Sequence, residues 1–371
     1  MEPTVRVGKI FGIELNLGYS WFLIFIFATV VMAMQFDANF PEWSPVHQFA
    51  WGLGMSVLFF VSILGHELAH SIVAMRYKIK VLSIRLHIFG GWARLGRPPK
   101  TPAEEFAIAI AGPLASLLFA CIFGIIWVLS EENNAALQLL AGQLAWINLI
   151  LAIFNSLPGF PLDGGLVLRA LLWAVKGKYT TATKIAAYSG QFMAATFMFT
   201  GLLLFTRIGL SGLWFIIIGY NLFSSSRAQL KDATLRENFK AFKVSDLALH
   251  QLPQVGTNTS IHDFLGSYVF GSNPGCYLVV DDNVVVGLVS PEQAKIIEPQ
   301  LGDFTTVNQV MTPLNNVELI DPETEIMMAL ELMDCTETGQ LPVVQNQQLQ
   351  GFISRESLIN FIRTRFQYGT N

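Results

Sequence analysis

Long uncharged apolar segments alternate with short polar ones over the first 226 residues. Six windows contain no Asp, Glu, Lys or Arg, and each is near or above the roughly 17–25 residues that a helix needs to cross a bilayer. They are Tyr19–Phe36, Phe49–Gly65, Phe106–Ser130, Asn133–Leu162, Ile185–Thr206 and Ile208–Ser226. The pattern predicts six membrane-spanning helices, of which the fourth is interrupted near its end by Pro158 and Pro161.

One segment between the second and third predicted spans has the alternation of a β-strand. Lys80–Leu95 is apolar and rich in β-branched residues, with polar side chains at alternate positions up to His87. Gly90 and Gly91 allow a hairpin turn at this point. The sequence therefore predicts a small membrane-associated β-hairpin.

A different architecture begins after Ser226. A charged connector occupies 227–243, and a segment of soluble composition occupies 244–371. Within that segment, "GCYLVVDDNVVVGLVSPEQA" from Gly275 aligns without gaps on "GQLPVVQNQQLQGFISRESL" from Gly339. Each copy has the pattern strand, turn, strand, helix. We therefore expect an α/β tandem repeat, with copies at 244–306 and 307–365.

Composition agrees with a polytopic membrane protein that carries a soluble tail. The 371 residues are 52% hydrophobic and 13% charged, whereas soluble proteins have about 25% charged residues. The net charge is −4, and basic residues outnumber acidic ones only up to Ser226. This balance excludes a basic nucleic-acid-binding surface. Three cysteines without a CxxC pair give neither a disulfide framework nor a thiolate metal site.

The basic residues also predict how the chain is inserted in the membrane. Lys and Arg concentrate between the second and third and between the fourth and fifth predicted spans. By the positive-inside rule, these segments face the cytoplasm. With six spans, we expect an integral protein of the cell inner membrane, with both termini and the tandem repeat in the cytoplasm.

Three titratable residues, His66, Glu67 and His70, interrupt the apolar pattern in "GHELAH". Such residues are costly in hydrocarbon and usually have a function or a partner there. On a helix, the two histidines project from one face and can share a metal ion such as Zn²⁺, while Glu67 is placed to accept a proton from water. The alternative is a polar cluster that bonds between helices or lines a pore.

A hydrolytic zinc site needs a third protein ligand. Asp163, in "FNSLPGFPLDGG" at 154–165, ends the fourth apolar window and is the first candidate. Glu104, Glu105 and His87 are the other candidates. We expect the two glutamates to be solvated, because they lie in a basic segment, and we expect His87 to be structural.

The motifs together resemble a known family. "HELAH" at 66–70, "FGGWARL", "AGPLAS" and "NSLPGFPLDGG" at 155–165 are similar to the motifs of site-2 proteases, which are intramembrane zinc metalloproteases of the peptidase M50 type. The resemblance extends over roughly Gly8–Ser226. It implies an α-helical polytopic membrane domain over 1–226 that binds Zn²⁺ and hydrolyses peptide bonds.

The resemblance also implies a role for each motif residue. His66, His70 and Asp163 would be the ligands of one Zn²⁺ per chain, and Glu67 would be the general base. Asn155 matches the asparagine of the family motif, and its amide could donate a hydrogen bond to the scissile carbonyl or its oxyanion. For Asn155, an interhelical hydrogen bond is the alternative.

The tandem repeat resembles a pair of cystathionine-β-synthase (CBS) domains, for which "VNQVMTP" at 307–313 is a typical opening. Such pairs commonly bind adenine nucleotides, here near Ser290 and Ser354, and often form homodimers. Gln293 and Ser357 stand where many nucleotide-binding copies carry an aspartate. A structural or dimerising module without a ligand is therefore the alternative.

The combined prediction is an intramembrane zinc endopeptidase that is regulated through cytoplasmic CBS domains. Its expected substrates are single-span membrane proteins, such as tethered anti-sigma factors or transcription factors. An exposed edge of the hairpin at 80–95 could hold the unwound substrate by β-augmentation, unless the hairpin only covers the site. The rival function is a CBS-regulated metal-binding transporter or channel.

Overall fold

The computed structural model describes residues 3–87, 90–130, 134–209, 211–247, 253–269, 276–282, 284–297, 301–313, 317–336, 338–345 and 348–368. The chain divides into two compact units. We call Met1–Leu235 the membrane unit and Arg236–Asn371 the tandem unit. The boundary falls inside the segment 227–243, which is helical only up to Phe239.

Seven described helices and a four-stranded sheet build the membrane unit. The helices are α1 (Tyr19–Asn39), α2 (Pro45–Arg76), α3 (Pro102–Leu129), α4 (Ala135–Asn155), α5 (Asp163–Lys176), α6 (Tyr179–Ile208) and α7 (Ser211–Phe239). The strands are β1 (Thr4–Ile10), β2 (Ile13–Gly18), β3 (Val81–His87) and β4 (Gly90–Leu95).

Five helices, α1, α2, α3, α4 and α6, have the length and apolar composition needed to cross a membrane. They account for the first five predicted spans. The sixth window lies in α7, whose apolar first half continues into a charged second half, and α7 is not one of the five. The fourth window is divided, because α4 ends at Asn155 and a loop with Pro158 and Pro161 precedes α5.

Local sequence signals set where the long helices begin. Ser44 caps α2 by accepting a hydrogen bond from the backbone N–H of His47, and a proline follows the cap. Thr101 caps α3 in the same way, with the N–H of Glu104 as donor. The carboxylate of Glu104 in turn accepts a bond from the N–H of Lys100. These caps satisfy backbone donors that the helix itself leaves without partners.

The predicted hairpin is confirmed, and it belongs to a larger sheet in the order β1-β2-β3-β4. Its predicted turn is misplaced, because Gly90 and Gly91 lie within β4 and pair with His87 and Leu86 of β3. β3 and β4 are antiparallel, and β4 lies at one edge. Strands β1 and β2, which the sequence analysis did not predict, form a second hairpin, and β2 pairs in parallel with β3. Ile13, Ile84 and Leu86 form an apolar core with Ala74 of α2 and Ile108 of α3. The sheet is thereby packed on the two helices that carry the candidate site.

The tandem unit contains the two predicted copies. The first has β5 (Gln254–Gly256), α8 (Ile261–Asp263), a π-helical turn (Phe264–Val269), β6 (Tyr277–Asp281), β7 (Val284–Val289) and α9 (Pro291–Ala294). The second has α10 (Val307–Val310), β8 (Thr312–Pro313), α11 (Ile326–Thr336), β9 (Gln340–Gln345), β10 (Gln348–Ser354) and α12 (Arg355–Tyr368). Each copy has its own apolar core.

The opening segments of the two copies are exchanged. Val244, at the start of the first copy, packs in the core of the second with Leu341. Val307, at the start of the second copy, packs in the core of the first with Tyr277, and β8 pairs with β7. Neither copy therefore has a complete core without the other.

This exchange predicts a crossed effect of two core substitutions. Val307→Ala removes two buried carbons from the core of the first copy, which should destabilise that copy by about 2 kcal/mol. Limited proteolysis of the full chain, read by mass spectrometry, should show faster cleavage within 254–297. Val244→Ala should instead accelerate cleavage within 317–364. Val284→Ala, at a position that is 63% exposed, is the control; cleavage confined to the mutated copy would contradict the exchange.

Candidate metal centre

The structure brings together the three side chains that the sequence proposed as ligands. His66 and His70 lie one turn apart on α2, with their Nε2 atoms 3.2 Å apart. The Oδ2 atom of Asp163 lies 3.0 Å from Nε2 of His66 and 3.4 Å from Nε2 of His70. The side chains of His66, His70 and Asp163 are only 6%, 12% and 17% exposed, respectively. Three potential donor atoms therefore converge on one point inside the helix bundle.

Asp163 reaches this point because the loop before it folds tightly against α5. Asp163 is the first residue of α5. A Cβ atom on Gly164 would lie 2.3 Å from the carbonyl oxygens of Ser156 and Leu157, and one on Gly165 would lie 2.4 Å from the carbonyl carbon of Gly159. Only glycines fit these two positions, which explains the Gly-Gly pair that follows the aspartate.

Both histidines are oriented from α3. Nδ1 of His70 donates to the carbonyl oxygen of Ile108 at 2.7 Å, so its Nε2 is the unprotonated, ligand-competent nitrogen. Nδ1 of His66 lies 2.8 Å from Oγ of the buried Ser116. Each ring therefore has an outer partner that holds Nε2 toward Asp163.

Gly112, between these two anchors on α3, leaves the space for a metal ion. A Cβ atom at this position would lie 2.2 Å from Nε2 of His70 and 2.5 Å from Nε2 of His66. Gly112 and Ser116 belong to the "AGPLAS" motif, but no chemistry was assigned to them from sequence, and the carbonyl of Ile108 was not predicted as a partner. Their four-residue spacing equals that of His66 and His70 and was the available signal, since such spacing places residues on one helix face.

The donor set and the space fit zinc. Two imidazole nitrogens and one carboxylate oxygen are a common ligand set of hydrolytic Zn²⁺ sites, in which a fourth position stays open. The outer partners Ser116 and Ile108 are of the kind that metal-bound histidines have.

Glu67 lies between this cluster and the β-sheet. A Cβ atom on Gly91 of β4 would lie 2.3 Å from Cγ of Glu67. The glutamate is next to His66 in sequence and lies on the same turn of α2 as His70. An edge strand therefore runs in contact with the one acidic side chain of α2.

Asn155 is the last residue of α4 and is half-buried. Its side chain forms no hydrogen bond with any residue that the structure describes, so the interhelical bond considered as its alternative role is not observed there. His87 ends β3 and is not part of the group around Asp163.

The other two candidate ligands have different partners. Glu104 contacts Arg97 at 3.3 Å near the start of α3. Glu105 is buried and forms an ion pair with Arg169 of α5. The prediction that Glu105 is solvated is wrong, because a carboxylate at this depth needs a charged partner and α5 supplies one. Arg169 also stacks over the rings of Phe160 and Tyr179.

In the tandem unit, the serines proposed to lie near a nucleotide act as helix caps. Oγ of Ser290 accepts a bond from the N–H of Gln293, whose side chain bonds back to the N–H of Ser290. Ser354 accepts from the N–H of Ser357 at the start of α12. Cys276, which precedes β6, is half-buried, and the loss of solvent around its thiol raises the pKa to about 11.

Comparisons with known proteins agree with this geometry. The model of peptidase family M50 matches residues 54–139 and 130–199, and the CBS domain model matches 307–364. Protein sll0528 of Synechocystis sp., whose name places it among the zinc metalloproteases, is 32% identical over 98% of this chain and 97% of its own. Rip3 of Mycobacterium tuberculosis, with a name of the same kind, is 33% identical over 90% of this chain and 86% of its own.

A solved site-2 protease from Methanocaldococcus jannaschii covers 62% of this chain and 95% of its own, with 30% identity and a TM-score of 0.44. The extent and identity of the sequence matches establish the family. The chain belongs to peptidase family M50 and is a site-2-protease-like zinc metalloprotease, an integral membrane enzyme with a C-terminal CBS region.

Proposed function

We propose that the protein cleaves peptide bonds of transmembrane substrates within the membrane. The observation that carries this proposal is the convergence of His66, His70 and Asp163 inside the helix bundle, with Glu67 between them and an edge strand. His66, His70 and Asp163 would hold one Zn²⁺. When bound, zinc supplies a Lewis acid that polarises the scissile carbonyl and lowers the pKa of water toward about 7.

Side chains of the protein would then transfer the proton, stabilise the carbonyl oxygen and hold the imidazoles in place. Glu67 accepts a proton from the attacking water at its carboxylate and passes it to the leaving amine. The amide of Asn155, which is free of other described partners, donates to the carbonyl oxygen as negative charge develops there. Ser116 and the carbonyl of Ile108 keep both imidazoles in place while charge moves through the site.

The sheet edge suits an unwound substrate. A transmembrane helix hides its peptide bonds, so the substrate must become extended locally, and its freed N–H and C=O groups then need partners. The outer edge of β4 offers backbone partners directly beside Glu67. Single-span membrane proteins, such as tethered anti-sigma factors or transcription factors, fit this requirement because one helix can enter and unwind alone.

The tandem unit is proposed to regulate cleavage from the cytoplasm, with an adenine nucleotide as its ligand and a second copy of the chain as its partner. The proposal is supported by the CBS match at 307–364 and by the repeat. The hydroxyls of Ser290 and Ser354 already accept hydrogen bonds as helix caps. A nucleotide would therefore have to bind beside these serines without breaking the cap bonds. The excess of Lys and Arg between the spans supports the cytoplasmic placement. This placement requires the apolar first half of α7 to cross the membrane as a sixth span, in addition to the five candidate helices.

The role of Glu67 predicts a sharp loss of activity. Glu67→Gln keeps the shape of the side chain but cannot accept a proton, so cleavage of a model single-span substrate should fall by roughly 10²–10⁴-fold. Zinc per chain, measured by atomic emission, should stay at the wild-type value. Cleavage near the wild-type rate would exclude Glu67 as the base.

A liposome flux assay with the same variant also separates an enzyme from a transporter, because only a transporter would move metal.

The space at Gly112 predicts a loss of metal. Gly112→Ala places a methyl group 2.2 Å from Nε2 of His70, so the purified variant should contain little zinc and show no cleavage. Gly124→Ala, on the same helix, is the matched control because its Cβ atom has no neighbour within 4 Å. Equal zinc contents in the two variants would show that the metal lies elsewhere.

The sheet-edge hypothesis predicts where the substrate lies. A photo-crosslinking residue at Trp92 of β4, which is 56% exposed, should capture the substrate close to its cleavage position. The same residue at Val7 of β1, which is 58% exposed at the opposite edge of the sheet, should not. Equal yields at both positions would rule out specific binding to β4.

A further inference from the structure

Three buried or bundle-facing serines of the membrane unit differ from other helical hydroxyls in the partner to which they donate a hydrogen bond. Hydroxyls in helices usually bond to the carbonyl one turn back. Thr29, Ser71 and Thr183 do so here. Ser116, Ser189 and Ser226 instead bond outside their own helices. Ser116 holds His66, which raises the question of what the other two serines hold.

Both of them hold the loop 156–162, which leads to Asp163. Oγ of Ser189, on α6, donates to the carbonyl oxygen of Pro158. Oγ of Ser226, on α7, donates to the carbonyl oxygen of Phe160. The N–H of Phe160 donates to the carbonyl oxygen of Ala186 at 3.2 Å. The hydrogen bonds that fix this loop among the described residues thus come from α6 and α7, not from α2, which carries both histidines.

The hydrogen bond between Ser226 and Phe160 crosses α6 at Gly190, where no side chain fills the space. A Cβ atom on Gly190 would lie 2.1 Å from the carbonyl oxygen of Phe160 and 2.3 Å from Oγ of Ser226. Phe160 and Ser226 are 2% and 0% exposed. No side chain therefore separates α7 from the loop, and the Phe160 carbonyl has Ser226 as its donor in a site closed to water.

Phe160 and Asp163 belong to one compact turn. The N–H of Leu162 donates to the carbonyl of Gly159 at 3.1 Å, and the N–H of Gly165 donates to the carbonyl of Leu162 at 2.9 Å. A Cβ atom on Gly165 would lie 2.5 Å from the nitrogen of Phe160. A shift of the Phe160 carbonyl must therefore move the first turn of α5 and, with it, the carboxylate of Asp163.

We propose that Ser226 is a positioning residue for the metal centre, which it sets through the Phe160 carbonyl and the first turn of α5. The inference rests on the proposed role of Asp163 as a zinc ligand. Zinc sites tolerate ligand distances within about 0.2 Å, so a small displacement of Asp163 weakens the whole site. Leu222 and Leu230, one turn on either side of Ser226, pack on the same loop region and keep α7 in place around the hydroxyl.

The test is Ser226→Ala in the full-length protein, with Ser224→Ala as the matched control. The two serines stand in the same "SSS" run of α7, but Ser224 is exposed. Alanine is a better helix former than serine, so neither change weakens α7 itself. We expect Ser226→Ala to bind zinc 10- to 100-fold more weakly in chelator competition, which is the usual effect of losing an outer partner of a metal site. Ser224→Ala should bind zinc like the wild type.

A second readout separates positioning from simple packing. With Co²⁺ in place of zinc, the visible d–d spectrum reports the arrangement of ligands and should differ between Ser226→Ala and the wild type. A change in thermal stability alone, with zinc affinity within twofold of wild type and an unchanged spectrum, would overturn the proposal. Failure of the wild type to cleave substrate while it binds zinc would instead refute only the proposed function.

Discussion

A polar atom inside a membrane-embedded bundle is costly unless the protein supplies a partner, because hydrocarbon offers none. The structure of the membrane unit can be understood from this single constraint. Placing two histidines and a glutamate on one turn of α2 obliges α3 to supply a carbonyl and a hydroxyl, and α5 to supply a carboxylate. Glu105, in the first turn of α3, likewise needs a partner, and Arg169 provides it. The interhelical geometry follows from these pairings as much as from apolar packing.

The constraint also explains why glycines are concentrated around the site. Partners can meet only if backbones approach closely, and a Cβ atom at Gly112, Gly165 or Gly190 would occupy the space of a neighbouring polar or backbone atom. These positions have negative φ and need no unusual backbone conformation. Their requirement is spatial, so the local sequence pattern gives little sign of it.

Much of the fold follows from the sequence, because periodicity is a local property. The five long apolar helices, the hairpin at Val81–Leu95 and the repeated strand–turn–strand pattern were predicted from spacing alone. The pair of His66 and His70 was predicted from its spacing, whereas Asp163 was one of several candidates until the resemblance to site-2 proteases implied it as the third ligand. Pairings between distant segments were not predictable in this way.

Apart from the hairpin of β1 and β2, which is local, the missed features are of that distant kind. The parallel pairing of β2 with β3, the ion pair of Glu105 with Arg169 and the exchange of Val244 and Val307 each join residues far apart in the chain. None of these pairings changes the periodic pattern of apolar and polar residues along the chain. Glu105 shows the consequence, since its charged surroundings in sequence suggested solvent, whereas its neighbour in space is an arginine from another helix.

The parallel pairing of β2 with β3 has a topological consequence. The chain crosses the bilayer twice between these strands if α1 and α2 both span it, and an even number of crossings returns it to the face from which it started. The two strands can belong to one sheet only if the number of crossings between them is even. Two further crossings by α3 and α4 bring the loop before Asp163 back to the same face. The amino-terminal hairpin, the strand beside Glu67 and the loop before Asp163 must then lie on the same face of the membrane, and a chain inserted with α1 alone across the membrane could not close the sheet.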